Sequence, residues 1–407
     1  MLWSLVSFLV SFLLCFFIIR YGFTNNSNNS AIFDSANGEP QKFHSKPTPR
    51  IGGVAIWGGF IAASVILFFQ KNELTNLFVM ILLCSTPLFA IGTAEDLTKK
   101  IAPMVRFSVA LVSALLSFFL MDVRITRLDI IVLDDLLRFL PLSLFITILA
   151  IAGFSNAVNL IDGFNGLASG VSMIILIGLA YVAFKVNDTF LLFLSIVIIA
   201  AVLGFFIWNY PRGLIFLGDA GAYIIGFFIS VISILLVARH HQVSPWFPML
   251  LLIYPVWETL FSIYRRKFKK GYPLTKADIL HFHSLVYKRI TRENSSTSIY
   301  FWGITFISFI PAVIFWQKSL ILQVCTFLWI VMYLSLYRKI VHFETPKYLK
   351  YLAKQLGSNN SISPKKTREK KKKCIINLKS HISKSNKNNH RHSTCESIKA
   401  INKIYSI

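Results

Sequence analysis

Charged residues are scarce in this sequence, and their scarcity restricts the class of protein. Only 15% of the 407 residues are charged, whereas soluble domains carry about 25%. Hydrophobic residues make up 55%, and the mean hydropathy is +0.61. A single-domain soluble enzyme is therefore excluded, and no segment between the apolar stretches is large enough to build a core of its own.

Acidic residues and paired cysteines are also few. The 42 lysines and arginines outnumber 18 acidic residues and give a net charge of +24, which is typical of proteins that meet nucleic acid, anionic lipid or polyanionic substrates. The basic residues lie between apolar stretches, which favours a membrane and argues against nucleic acid. Five cysteines without CxxC spacing indicate neither a zinc site nor a disulfide scaffold.

The N-terminus lacks the basic start and the small-residue cleavage site of a signal peptide, so residues 1–20 are predicted to be a retained transmembrane helix. A helix needs about 20 mostly apolar residues to cross a bilayer. By this criterion the sequence predicts an all-α polytopic membrane protein with about eleven spans. They are residues 1–20, 51–69, 75–93, 103–121, 138–155, 168–186, 189–208, 220–239, 246–264, 298–316 and 319–337.

Basic residues are distributed unequally between the two sides of this bundle. One side holds only Lys71, Arg124, Arg127, Arg138, Lys185, Arg239 and Lys318. Positively charged loops face the cytoplasm, so the N-terminus is predicted outside and the C-terminus inside. Residues 122–137 are too polar to span and are predicted to form a short external strand-like segment. The chain is divided into a transmembrane domain, residues 1–340, and a basic tail, residues 341–407, predicted to be disordered near anionic headgroups.

Two polar clusters at predicted inner span ends contain charges that suit a phosphate or a metal. In KPTPRIGG (46–53), Lys46 and Arg50 suit contact with phosphates, although the loop is equally explained as a topological anchor. In GTAEDLTKK (92–100), Glu95 and Asp96 suit Mg²⁺ binding or general-base chemistry, with a solvated pair balanced by lysines as the alternative. Arg106 follows this cluster.

Two further clusters combine amides, carboxylates and glycines. In NAVNLIDGFNGLASG (156–170) the residues Asn156, Asn159, Asp162 and Asn165 are spaced by three, which in a helix places them on one face. They suit either a ligand or a polar contact between helices. Asp219, within GDAG ahead of an apolar run, suits either a helix N-cap or a metal ligand.

The fifth cluster is the long basic connection 265–289, in which His281 and His283 suit a loop that presents imidazoles to phosphate. A zinc site would require more Cys or His ligands. If eleven spans are correct, all five clusters lie on one membrane face. Together they offer the carboxylates, amides, glycines and cations that a Mg²⁺-dependent site for a diphosphate substrate needs.

The sequence resembles the polyprenyl-phosphate N-acetylhexosamine-1-phosphate transferase superfamily, glycosyltransferase family 4. The resemblance is carried by KPTPRIGG, GTAEDL, NAVNLIDGFNGLA, GDAGAYIIGF and the segment from Asp278 to His283, which occur in the family's order over residues 1–340. It implies a multi-pass protein of the bacterial inner membrane with its active site on the cytoplasmic face. The implied reaction transfers a sugar 1-phosphate from a UDP-N-acetyl sugar to undecaprenyl phosphate and releases UMP.

The resemblance also implies roles for individual residues. Asp219 matches the family's metal-binding Asp, with Mg²⁺ expected and Mn²⁺ as the alternative ion. Glu95 and Asp96 match the pair proposed to position or deprotonate the lipid phosphate. The Asn159, Asp162 and Asn165 motif matches the nucleotide-sugar site, in which Asn156 is included and Asp162 also serves the metal. His281 and His283 match the histidine motif, and Lys46, Arg50 and Arg106 supply cations for phosphate.

Three positions depart from the family pattern. Glu95 replaces the first Asp of the pair, Asn165 replaces a second Asp, and Ser284 replaces the final histidine. The HHH run of the muramyl-pentapeptide branch is absent, so the sequence resembles the branch that starts O-antigen or other surface polysaccharides, with N-acetylglucosamine as the default sugar. A homodimer is left open. The alternatives are a lipid transporter, for which Glu258 is the main intramembrane carboxylate, and a non-catalytic relative that binds polyprenyl lipid.

Overall fold

Long apolar helices account for most of the fold. The computed structural model describes residues 2–24, 33–34, 48–270 and 281–341. Lys46, Asp278 and the basic tail lie outside these residues. The helices are α1 (Leu2–Thr24), α2 (Gly52–Phe69), α3 (Thr75–Thr98), α4 (Pro103–Met121), α5 (Ile131–Leu137), α6 (Leu140–Ile161), α7 (Leu167–Lys185), α8 (Thr189–Asn209), α9 (Gly218–Arg239), α10 (Trp246–Leu251), α11 (Ile253–Tyr264), α12 (Phe282–Val286), α13 (Asn294–Ile314) and α14 (Ser319–Val341). The two-residue strands β1 (Phe33–Asp34) and β2 (Thr48–Pro49) pair antiparallel, and π-helical turns follow α11 and α12 at Arg265–Lys270 and Tyr287–Thr291.

Ten helices among the described residues are long and apolar enough to cross a membrane, and each corresponds to one predicted span. The remaining predicted span, residues 246–264, is divided into α10 and α11. Pro255 lies in the first turn of α11, where it lacks an N–H and its ring displaces the carbonyl four residues earlier. The predicted all-α polytopic architecture is therefore confirmed, with one of its eleven spans broken at Leu252.

Helix α9 forms the centre of the bundle and is almost completely buried. It packs against α2, α3, α6, α7 and α8. Glycines allow the closest of these contacts, since a Cβ on Gly53 would lie 2.2 Å from Gly221 N and one on Gly92 would lie 2.5 Å from Ala220 Cα. Backbone-to-backbone packing of this kind is how transmembrane helices approach each other without large side chains. The first turn of α9 is therefore held between α2 and α3.

Residues 122–137 do not form the predicted strand-like segment. Residues 123–130 are irregular and are followed by α5. Their backbone is paired with side chains and not with a second strand: Ile125 N–H donates to Thr147 Oγ1 at 2.9 Å, and the Leu128 carbonyl accepts from Trp246 Nε1 at 2.9 Å. Arg127 also donates to the carbonyl of Val243 at 2.5 Å. The segment thus joins α4 and α6 to the residues after α9, at the end of the bundle opposite the start of α9.

Candidate functional site

The first turn of α9 is the point where three of the predicted polar clusters meet. Residues 49–53 pair with the segment that leads into α9: Phe216 N–H donates to the Pro49 carbonyl at 2.8 Å, and Gly52 N–H donates to the Phe216 carbonyl at 2.9 Å. This pairing places Arg50 beside the start of α9. Arg50 therefore lies where helix N–H groups and the helix dipole already favour negative charge.

Asp96 satisfies the backbone at the start of α9. Its two carboxylate oxygens accept hydrogen bonds from Asp219 N–H at 2.8 Å and Ala220 N–H at 3.0 Å. Gly218, which begins the helix, has a φ of +75°, and a Cβ there would lie 2.5 Å from Asp96 Oδ2. The N-cap alternative for Asp219 is therefore not what the fold uses, because Asp96 from α3 provides this interaction.

Asp219 itself is bound by two arginines. Arg50 Nη2 donates to Asp219 Oδ1 at 2.5 Å, and Arg106 Nη1 forms an ion pair with Asp219 Oδ2. The Asp219 side chain is only 2% exposed. A buried carboxylate is stable when it is paired and hydrogen-bonded in this way. The two guanidinium groups and Asp219 are named here the arginine clamp.

Glu95 contacts one arginine of the arginine clamp, Arg106. Its Oε2 accepts a hydrogen bond from Ile101 N–H at 2.7 Å, and its Oε1 lies 3.7 Å from Arg106 Nη1. Asp96 Oδ1 lies 3.5 Å from Arg50 Nε. In this arrangement the acidic pair orients the two arginines, and neither Glu95 nor Asp96 lines the cavity described next.

A cavity of about 540 Å³ lies beside the arginine clamp. Its wall contains residues from four of the five clusters and Arg106, which follows the remaining cluster, so these clusters are placed on the same side of the predicted spans. The predicted site residues that line it are Arg50, Arg106, Asn156, Asn159, Asp162, Asn165, His281 and His283. Asp219 lies behind the arginines, and Lys46 lies outside the described residues. The volume is in the range of small-molecule sites.

The asparagine cluster divides where α6 ends. Asn156 and Asn159 belong to α6, but the helix stops at Ile161, so Asp162 and Asn165 do not continue its face as predicted. Asn165 instead holds the following turn: its Nδ2 donates to the Pro211 carbonyl at 3.0 Å, and its N–H donates to Asn294 Oδ1 at 2.7 Å. Asn165 thus lies on the cavity wall, but its hydrogen bonds stabilise the turn that follows α6.

Asp162 is the carboxylate in the cavity that is ready to receive a ligand. Its backbone N–H donates to the Asn159 carbonyl at 3.2 Å just beyond the end of α6, but within the described residues its carboxylate makes no hydrogen bond or ion pair. Burial raises the pKa of the Asp162 carboxyl to about 7; Arg50 opposes this rise and Asp219 adds to it. A cation placed between Asp162 and Asp219 would relieve both the desolvation and the mutual repulsion of the two carboxylates.

The two histidines also line the cavity, and the His283 ring contacts that of Phe164. His281 precedes α12 and His283 lies within it, so the predicted loop is a short helix at this point. Their rings stack in parallel with centroids 5.2 Å apart. His281 Nδ1 lies 3.2 Å from Glu258 Oε1, whereas His283 Nδ1 is buried with no hydrogen-bond partner among the residues that the structure describes. The two imidazoles therefore have different electrostatic surroundings.

His283 is expected to make the folded protein sensitive to acid. Burial lowers the pKa of His283 to about 3; Glu258 opposes the shift, and His281 and Arg265 reinforce it. The unfolded chain takes up this proton near pH 6.5, so acidification below that value favours the unfolded state. We expect the melting temperature to fall as the pH is lowered from 7 to 5, and to fall less in His283→Asn. An identical decline in the variant would contradict this explanation.

Several cavity residues were not singled out by the sequence. Tyr223 lies within the quoted motif GDAGAYIIGF but carried no pattern of its own, and Asn209, Thr259 and Asn294 lie in apolar or loop surroundings without a signal. Asn209 joins two turns, donating to the Ile215 carbonyl at 2.8 Å and accepting from Gly166 N–H at 2.6 Å. The additional wall residues are Pro103, Leu160, Gly163, Phe164, Asn209, Phe216, Leu217, Tyr223, Thr259, Arg266, Ser284 and Asn294.

The donor set fits Mg²⁺ bound together with a phosphorylated ligand. Among the described residues no group of three or more His, Cys, Asp and Glu gathers tightly enough to hold a metal ion by itself. Mg²⁺ is commonly bound by only one or two carboxylates, with water and substrate phosphates completing the shell. Asp162, whose side chain has no hydrogen-bond partner within the described part of the chain, and Asp219, which is paired with two arginines, suit that arrangement.

These features define a class of protein: a polytopic membrane protein whose buried carboxylates, arginines and histidines surround one polar cavity. Comparison with known proteins specifies the class further. The family model described as glycosyl transferase family 4 matches residues 78–237. A phospho-N-acetylmuramoyl-pentapeptide-transferase of Streptococcus uberis is 30% identical over 256 residues, which cover 58% of this chain and 74% of the relative. The chain belongs to glycosyl transferase family 4.

Other relatives have related names. A probable undecaprenyl-phosphate N-acetylglucosaminyl 1-phosphate transferase of Bacillus subtilis is 28% identical over 318 residues, covering 76% of this chain and 84% of the relative. A decaprenyl-phosphate N-acetylglucosaminephosphotransferase of Mycolicibacterium smegmatis is 28% identical over 292 residues, covering 64% and 70%. The relatives therefore include both N-acetylglucosamine and muramoyl-pentapeptide phosphotransferases.

Proposed function

We propose that this protein transfers an N-acetylhexosamine 1-phosphate, by default N-acetylglucosamine 1-phosphate, from a UDP-sugar to undecaprenyl phosphate. The observation that carries the proposal is the cavity in which Arg50 and Arg106 flank Asp219, with Asp162 and two histidines on the wall. Cations that surround a carboxylate pair suit a pyrophosphate and its metal. The names of relatives that act on polyprenyl phosphates support the same acceptor.

The chain's own residues have distinct tasks in this reaction. An oxygen of the lipid phosphate attacks the β-phosphorus of the UDP-sugar, and the bond to UMP breaks. Arg50, Arg106 and His281 neutralise the charge that develops on the phosphoryl oxygens. The side-chain amide of Asn159, which has no hydrogen-bond partner among the described residues, is available to orient the nucleotide sugar. Mg²⁺ would supply further charge neutralisation on the pyrophosphate, held by Asp162 and Asp219.

Asp96 is assigned a positioning task in place of the general-base task considered from the sequence. Its oxygens are occupied by the first N–H groups of α9. The lipid phosphate is already an anion at neutral pH, so the attack does not depend on a strong base. Asp96 therefore acts by fixing Asp219 and Arg50, with Glu95 fixing Arg106 in the same way.

The site is proposed to face the cytoplasm of a bacterial inner membrane, where UDP-sugars are made. The excess of basic residues on this side of the bundle supports the orientation. We propose that the product enters O-antigen or other surface-polysaccharide synthesis and not peptidoglycan, because the histidine segment lacks the HHH run of the muramyl-pentapeptide branch. The transporter alternative loses its main support, because Glu258 accepts three hydrogen bonds inside the fold.

The test uses purified protein with undecaprenyl phosphate, Mg²⁺ and separate UDP-N-acetyl sugars, and measures both UMP release and the lipid product. Sugar-dependent and EDTA-sensitive UMP release with equimolar lipid-diphosphate product is expected. A UDP-N-acetylmuramoyl-pentapeptide arm separates the two branches. Folded protein that releases no UMP with any donor would refute the transferase and favour a non-catalytic lipid-binding relative.

The arginine clamp is expected to oppose cation binding in the absence of substrate. Arg106→Gln removes one of the two guanidinium groups on Asp219, and a charge-assisted hydrogen bond contributes about 1.5–3 kcal/mol. We therefore expect ligand-free protein to bind Mn²⁺ at least about tenfold more tightly, while transfer activity falls. Electron paramagnetic resonance of free Mn²⁺ measures the affinity. Arg124→Gln, at an exposed ion pair on the opposite end, is the control, and unchanged Mn²⁺ affinity in Arg106→Gln would contradict the clamp.

A further inference from the structure

Glu258 is a buried carboxylate that the proposed reaction does not use directly. It lies on α11 and is 1% exposed. It receives three hydrogen bonds: Phe282 N–H donates to Oε1 at 2.9 Å, Tyr333 Oη donates to Oε2 at 2.6 Å, and His281 Nδ1 lies 3.2 Å from Oε1. Burial of a carboxylate is costly unless such partners are present. Glu258 therefore joins three separate elements, α11, α12 and α14.

The geometry determines which nitrogen of His281 carries the proton. Phe282 N–H can only donate, so Oε1 of Glu258 acts as an acceptor toward α12. His281 Nδ1 must then donate to the same oxygen. The second ring nitrogen, Nε2, is left for the cavity that His281 lines. A carboxylate behind one nitrogen fixes the tautomer and the orientation of the ring, as in the carboxylate–histidine pairs of metal sites.

His283 provides an internal comparison. Its ring is parallel to that of His281, 5.2 Å away, and lies edge-on to Phe164 and Phe301. Its Nδ1 faces no partner among the described residues. Two stacked imidazoles repel when both are charged, and among the residues that the structure describes only His281 has a carboxylate within hydrogen-bonding distance. The direction of the His283 pKa shift agrees with this difference.

We propose that Glu258, held by Tyr333, is a positioning residue that fixes the ring of His281 through its Nδ1–H and so presents Nε2 to the phosphoryl group. This inference rests on the proposed transferase function for its kinetic part. It reaches beyond the family-model match, because Glu258, His281 and Tyr333 all lie after residue 237. It also assigns a task to α14, which otherwise contributes no residue to the cavity wall among the described residues.

The kinetic test is a double-mutant cycle between Glu258→Gln and His281→Gln. Glutamine is close in shape to glutamate but removes the charge. We expect Glu258→Gln alone to lower kcat about 10- to 100-fold, the range for groups that orient a functional histidine, with little change in donor KM. In the His281→Gln background the same change is expected to cost less than about twofold, because residues that act through each other are not additive. Glu73→Gln, at an exposed loop position, is the matched control.

The second test does not require turnover. Protein labelled with ¹⁵N-histidine in nanodiscs reports the tautomer of each imidazole, and His281→Gln assigns the signal. We expect Nδ1 of His281 to be protonated in the wild type, and the signal to change in Glu258→Gln and, less, in Tyr333→Phe. The signal of His240 serves as a reference, since that ring contacts Asp188 at the opposite end of the bundle.

The outcomes separate the two proposals. Wild-type protein that is inactive with every donor but shows the expected His281 tautomer would refute the transferase and retain the Glu258 pairing. Losses that multiply in the double mutant, or a His281 signal unchanged in Glu258→Gln, would overturn the positioning role. If Glu258→Gln does not yield folded protein, Tyr333→Phe and its His281 signal decide the question in the same way.

Discussion

Asp219→Asn is expected to lower kcat/KM by about 10³-fold or more. The substitution removes the negative charge that two guanidinium groups share, so Arg50 and Arg106 lose their common partner. It also removes the carboxylate that we propose holds Mg²⁺ together with Asp162. The single substitution therefore affects both the position of the two guanidinium groups and the binding of the metal. UMP release at saturating and limiting donor measures the loss.

The control for this prediction is Asp135→Asn, which removes an exposed carboxylate on α5. Its activity is expected to equal that of the wild type. Mn²⁺ binding to Asp219→Asn provides a second readout and is expected to be strongly weakened. Wild-type activity in Asp219→Asn, or an unchanged requirement for Mg²⁺, would show that the arginine clamp is not part of the reaction site.

Gly53→Ala is expected to have the largest effect on stability. The added Cβ would lie 2.2 Å from Gly221 N and 2.7 Å from its Cα, so backbone and not a flexible side chain would have to move. Overpacking of this kind costs about 3 kcal/mol. Gly53 N–H also donates to the Leu217 carbonyl at 2.9 Å, so displacement of α2 would disturb the start of α9. We expect a lower melting temperature in detergent and a reduced yield of monodisperse protein.

Gly303→Ala on α13 is the matched control, because a Cβ at Gly303 meets no atom within 4 Å. The same chemical change there is expected to be neutral or slightly stabilising, since alanine favours the helix more than glycine does. Equal melting temperatures for the two variants would contradict the tight contact between α2 and α9.

The transmembrane helices could be predicted from the sequence, because a run of about 20 apolar residues is a strong signal for a membrane span. Each predicted span matches a helix, apart from the one that is divided at Leu252. The prediction of a strand-like segment at residues 122–137 was wrong, because an alternating pattern of side chains does not show whether a partner strand exists. The backbone of Ile125 and Leu128 found side-chain partners instead.

The sequence also predicted that the charged clusters lie on one membrane face, but it did not show which side chains bind each other. Asp96 and Asp219 are both acids at helix ends, and only the fold shows that Asp96 holds the first turn of α9 while Asp219 receives the arginines. Asn165 shares the spacing of Asn159, yet the end of α6 at Ile161 gives it another task. Glu258 was visible only as an acid in an apolar stretch, because its partners are 23 and 75 residues away.

The bond between Tyr333 and Glu258 has a consequence for biosynthesis. Tyr333 belongs to α14, the last helix that the structure describes, so a nascent chain inserted only through α13 already contains every residue of the cavity wall within the described part of the chain. It still lacks the Tyr333 hydroxyl, which donates a hydrogen bond to Glu258. We expect such a partly inserted chain to be much less active than the complete bundle, so that little donor nucleotide is consumed before α14 has integrated into the membrane.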